Sequence, residues 1–162
     1  RLGAAGIVLA GAASFFAVVL ALAGVLDAIA VLDATWVAAL GVVIAVASLL
    51  VVLAAQSNMG SSWRIGVDPG ETTDLVTGGI FAVTRNPIFL GMIGFWAGIA
   101  LAVPNPLAIA AAVAAWVAIE VQVRMVEEPY LLRTHGDAYA RYASRTGRLL
   151  PGLGRMPKGR AT

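Results

Sequence analysis

"NPIFLGMIGFWAGIALAVPNPLAIAAAVAAWVAIE", residues 86–120, holds two apolar runs separated only by Pro104, Asn105 and Pro106. So short a connection predicts an antiparallel helical hairpin. Asn86-Pro87 reads as the start of its first helix. Proline suits the first helical position, where its missing N–H would be unpaired anyway. Asparagine just before it is placed to accept a hydrogen bond from the first turn. The second run starts at Pro106, stays apolar to about Ile119 and keeps helical character past Glu120, Arg124 and Glu127.

Two further apolar stretches precede the hairpin, about residues 4–26 and 35–55. Each is close to the ~20 residues needed to cross the hydrocarbon core. The chain is 60% hydrophobic and 12% charged over 162 residues, with mean hydropathy +0.88. A soluble domain is about half apolar and about a quarter charged, so the composition indicates a membrane protein. The first stretch is too long for a signal-peptide core and is expected to be a retained helix. Small residues recur in the first stretch, among them Gly3, Gly6 and Gly11, and suit close helix packing in lipid.

The expected fold is therefore an all-α integral membrane protein with about four transmembrane helices. The last two form a hairpin over about 87–127, followed by a cytoplasmic helical tail. Residues 1–56 carry the first two helices, and 57–162 carry whatever chemistry there is. All eleven Lys and Arg residues fall on one side of this topology. The positive-inside rule then puts both termini and the 57–87 segment in the cytoplasm. The pI near 9.5 reflects that topology and not nucleic-acid binding, for which no aromatic-basic signature is present.

Three polar groupings stand near helix ends. Arg85 precedes the hairpin, where the positive end of the helix dipole attracts anions; an arginine at that depth also suits lipid headgroups. Glu120, Arg124 and Glu127 recur at helical spacing on one face, with Glu128 turned about 100° away by the 3.6-residue turn. They form either a polar pocket, as intramembrane charges usually do, or surface ion pairs on a helix that has left the bilayer. Tyr139, Tyr142, Arg141, Arg145 and Arg148 follow in a stretch resembling an interfacial amphipathic helix. His135 is the single histidine and cysteine is absent, which rules out a histidine cage, a thiolate metal site and a disulfide. No phosphate-binding loop, dinucleotide fingerprint or nucleophile elbow occurs. Helices one and two supply no polar stripe of the kind a channel needs.

Residues 74–91, "DLVTGGIFAVTRNPIFLG", and 124–151, "RMVEEPYLLRTHGDAYARYASRTGRLLP", together resemble the isoprenylcysteine carboxyl methyltransferase family and its bacterial relatives, which are akin to phospholipid N-methyltransferases. The first matches a glycine and an aromatic before Arg-His-Pro-x-Tyr-x-Gly. The second matches a double glutamate, then spaced tyrosines, an arginine and a proline. The resemblance spans about residues 70–160. Asn86 stands where that family has histidine, and Phe89 where it has tyrosine.

The resemblance implies a membrane methyltransferase that uses S-adenosylmethionine and releases S-adenosylhomocysteine. Its acceptor would be a lipophilic small molecule or lipidated group entering from the membrane lipid. Carried over by position, Thr73, Asp74, Leu75, Val76, Phe81, Asn86, Pro87, Ile88 and Phe89 would line the cofactor pocket. Glu127 would contact the cofactor, and Arg124 or Arg85 would orient an anionic acceptor. A carboxylate acceptor is favoured, because it needs no general base and few bases are present beyond Glu127, Glu128 and Tyr139. A non-catalytic membrane scaffold and an NADPH-dependent membrane reductase are the competing expectations.

Overall fold

The structure, a computed structural model, describes residues 2–60 and 74–157. It is all-helical among the described residues. Helix α1 spans Leu2–Leu22, α2 Thr35–Met59, α3 Pro87–Ala102, α4 Pro106–Gln122 and α5 Glu128–Arg145. A 3-10 turn at Gly79–Ala82 precedes α3, and a π-helical turn at Val123–Glu127 joins α4 to α5. Among the described residues three helices are long and apolar enough to cross a membrane: Gly3–Leu22, Thr35–Met59 and the continuous Pro106–Arg145. The shorter α3 has 16 residues and rises about 24 Å, less than the ~30 Å core. The expected four crossings are thus three long helices and one short apolar one.

The hairpin forms as expected. Asn105 caps α4, its side chain accepting from the Ala108 N–H at 2.9 Å. Its amide donates to the Val103 and Ala17 carbonyls, tying the turn to α1. The α1–α2 connection docks on the same turn, with the Ile29 N–H donating to the Pro104 carbonyl at 2.6 Å. Helix α1 ends at Leu22, four residues before the apolar stretch does, because this connection folds back on the hairpin.

Helix α3 packs on α2, and α4 packs on α1. Lipid gives apolar helices no hydrophobic reason to associate, so close van der Waals contact carries the bundle. A Cβ on Gly98 would lie 2.6 Å from both the Gly41 carbonyl oxygen and the Ala45 nitrogen. Only glycine permits that backbone approach. Outward faces are apolar as well: Val8, Leu9, Phe15, Trp36, Val43 and Trp116 are all more than half exposed. Helices that are apolar on every side belong in a bilayer, and the chain is a multi-pass membrane protein.

One core cluster contains Ala10, Trp96, Ala115, Ile119 and Val123 from the bundle together with Leu149 from beyond α5. The chain after α5 therefore returns and inserts a leucine among the membrane helices. That return positions the site.

Candidate functional site

Pro87 opens α3 and Asn86 occupies its N-cap position, as the sequence predicts. The capping bond does not form. The Asn86 amide instead donates to the Arg148 carbonyl at 2.9 Å. Thr84 Oγ1 donates to the same carbonyl at 3.2 Å, and the Arg85 N–H donates to the Gly147 carbonyl at 2.9 Å. Residues 84–86 are thus held along the strap formed by residues 146–156, and the strap has taken the side chain that would have capped the helix.

Arg85 does not face lipid headgroups. Its side chain is 1% exposed and pairs with Glu128 Oε1 at 2.9 Å. Arg85 Nη2 also donates to the Gly154 carbonyl at 2.7 Å, and its guanidinium lies over the ring of the buried Tyr139. Arg148 grips the same Glu128 carboxylate with two parallel bonds, 2.8 and 3.0 Å. Such a fork is the strong form of the arginine–carboxylate pair. These bonds push the Arg148 guanidinium above its ordinary pKa. Two cations share one carboxylate, leaving a positive charge in excess beside the α3 start. Tyr142 completes the junction by donating to the Phe81 carbonyl at 2.6 Å, which fixes the 3-10 turn against α5.

The expected one-face arrangement of Glu120, Arg124 and Glu127 does not survive. The backbone N–H of Glu128 bonds to the Val123 carbonyl, a π-type closure that advances the chain less per residue than an α-turn. Glu120 and Arg124 stay together at 2.6 Å, with Arg124 58% exposed. They sit in an open, apolar-walled groove of about 240 Å³ with Trp116, Val117, Val121 and Met125. Glu127 is turned inward instead, half-buried, and accepts from Gln122 Nε2 at 3.3 Å. It is Glu128, not Glu127, that meets the start of α3.

The other expected cofactor residues are distributed unevenly. Leu75, Val76, Ile88 and Phe89 are half-buried and Asp74 is exposed. Phe81 and Pro87 are buried in the junction. Thr73 lies outside the described residues. Arg148, which in the sequence is one of several basic residues of the tail, has its role set by contacts with Glu128, Thr84 and Asn86 that no local pattern announces.

Gln122 Oε1 is buried and accepts no hydrogen bond among the described residues. It faces α1, where a Cβ on Gly3 would come within 2.6 Å of it, while Nε2 of the same amide donates to Glu127. A buried polar atom without a partner costs free energy. Among the described residues no group of His, Cys, Asp and Glu could hold a metal ion.

The sequence model of the family described as phospholipid methyltransferase matches residues 36–138. The match runs from α2 through the hairpin and the π-turn into α5, and stops before Tyr139 and the strap. It falls among the membrane methyltransferases to which the isoprenylcysteine enzymes are related. No curated protein matches the chain.

Proposed function

The chain belongs to the phospholipid methyltransferase family, and from that premise we propose that it transfers a methyl group from S-adenosylmethionine to a lipid-type acceptor approaching from the bilayer. The observation that carries the reading is the inward Glu127 beside the orphaned Gln122 oxygen. Glu127 and Gln122 would hold the ammonium end of the cofactor, with Ile88, Phe89, Leu75 and Val76 as apolar surface for the remainder. The cofactor brings an already activated methyl group. The protein's part is to align donor and acceptor and to exclude water.

Arg124 is the cation left for the acceptor, since Arg85 is spent on Glu128, Gly154 and Tyr139. Among the described residues Arg124 pairs through Nε with Glu120, which leaves its terminal amines for an anionic group. The groove beside it suits an acyl or prenyl chain. A lipophilic carboxylate is the acceptor this arrangement favours. A phospholipid amine is the second reading, favoured by the family's description, and it would require a proton to be removed. By the positive-inside rule the strap, the α3 start and both termini lie on the cytoplasmic side.

Purified protein titrated calorimetrically with S-adenosylhomocysteine tests the cofactor. Absence of heat at high micromolar ligand sinks the enzyme reading and leaves the scaffold; heat with NADPH instead would favour the reductase. Radiolabelled methyl transfer into membrane lipid extract then tests the acceptor. Alkali-labile label identifies an ester of a carboxylate, and alkali-stable label identifies an N-methylated amine.

A further inference from the structure

We infer that Arg148 is a positioning residue of the methyl-transfer site, acting through the strap on the first turn of α3. The inference rests on the methyltransferase reading above. It concerns a residue outside the 36–138 family match.

Three residues of the strap, Gly147, Arg148 and Gly154, hold residues 84–86. Gly147 forms the parallel bridge with Thr84, and its carbonyl accepts from the Arg85 N–H. The Arg148 carbonyl takes Thr84 and Asn86 together. Leu149 inserts into the bundle core. The Gly154 carbonyl takes the Arg85 guanidinium, and the Met156 N–H donates to the Ala143 carbonyl. The Arg148 N–H closes the strap on itself through the Leu153 carbonyl at 2.7 Å. A Cβ on Gly147 would collide with the Leu150 and Leu153 carbonyls, so the loop is drawn tight around this point.

Arg148 joins two elements at one residue: its fork to Glu128 anchors the side chain to α5, and its carbonyl accepts from Asn86. Asn86 is thereby held off the α3 N-cap, and the first-turn N–H groups of α3 keep no side-chain cap. Ile88 and Phe89, proposed to face the cofactor, belong to that turn. Glu128 follows Glu127 directly, so the same fork also fixes the end of the π-turn that carries Glu127. Arg148 therefore sets both walls of the proposed site while touching neither ligand.

Two measurements test this. The first compares Arg148→Ala, Arg148→Lys and, as a control, Arg145→Ala at an exposed position one turn away. At temperatures well below unfolding, Arg148→Ala should lower kcat on the order of tenfold to a hundredfold, as misplacement from a distance does, with acceptor KM unchanged. Lysine, which keeps the charge but not the fork, should recover part of the loss. A wild-type kcat in folded Arg148→Ala overturns the inference.

The second needs no activity. The chain has no cysteine, so Ile88→Cys gives a single thiol on the first turn of α3. Its labelling rate should rise at least severalfold when Arg148→Ala is added. Equal rates in the two backgrounds overturn the inference even if the wild type binds no S-adenosylhomocysteine, and that last result by itself would count only against the methyltransferase reading.

Discussion

The Arg85 guanidinium and the Glu128 carboxylate meet at 2.9 Å with side chains 1% and 8% exposed, and this pair joins the hairpin's first helix to the tail. Arg148 is the third member and the most accessible, at 16%. Removing one partner of a buried pair is costly because the other charge is left desolvated, about 3–5 kcal/mol. The three members should therefore rank unequally. Glu128→Gln leaves two guanidinium groups facing one another without a counter-charge. Arg85→Met leaves the intact Glu128–Arg148 fork, and Arg148→Met leaves the intact Arg85–Glu128 pair. Thermal unfolding in detergent should show Glu128→Gln as the most destabilised of the three. An equal effect of all three would mean that charge balance does not govern the junction.

The two Asn-Pro helix starts should respond differently to alanine. Asn105 accepts a capping bond from Ala108 and donates to Ala17 and Val103. Asn105→Ala should cost about 0.5–2 kcal/mol for the cap, with a further loss from the two hydrogen bonds to the Ala17 and Val103 carbonyls. Asn86 makes no capping bond and gives its amide to the Arg148 carbonyl. Asn86→Ala should cost less, about 1 kcal/mol for one hydrogen bond, while releasing the strap. Limited proteolysis between residues 147 and 157 should accelerate for Asn86→Ala and not for Asn105→Ala. The reverse pattern would place the cap at α3 after all.

These two asparagines show what the sequence made legible. The hairpin, the helix lengths and the Pro-opened starts follow from apolar run length and from proline's fixed geometry, which are local. Whether an asparagine caps depends on what competes for its amide. For Asn86 the competitor is Arg148, far along the chain. The place of Arg85 was open between lipid headgroups and an anionic ligand for the same reason: its partners Glu128 and Tyr139 lie in α5 and Gly154 in the strap. Glu128 meets Arg85 and Arg148 beyond a π-turn that adds a residue to one turn, which the 3.6-residue period cannot foresee. The cap at Asn105 was within reach, since residues 105–106 repeat the dipeptide already recognised at 86–87.

Helix contact between α2 and α3 should be intolerant of any side chain at Gly98. The new Cβ would meet backbone atoms of Gly41 and Ala45, and backbone cannot rotate aside as a side chain can. Gly98→Ala should destabilise by about 1–3 kcal/mol, the usual penalty of overpacking, and Gly98→Val by more. The measurement is the unfolding midpoint in detergent. An unchanged midpoint for Gly98→Val would show that α2 and α3 are not packed at Gly41–Gly98.

Glu127 offers the most discriminating test of the chemistry. Its carboxylate is proposed to receive the ammonium that S-adenosylmethionine and S-adenosylhomocysteine share. Glu127→Gln keeps the size and a hydrogen-bonding oxygen but removes the charge. A hydrogen bond to a charged group contributes about 1.5–3 kcal/mol, so both ligands should bind roughly tenfold to a hundredfold more weakly. Glu127→Ala should be weaker still, since Gln122 then loses its acceptor as well. Calorimetry with the two ligands in parallel measures this directly. Equal loss for both places Glu127 at the ammonium. A loss confined to S-adenosylmethionine would place the carboxylate near the sulfonium, the feature that distinguishes that ligand. Wild-type affinity for both would remove Glu127 from the site and return attention to Glu128 and the strap.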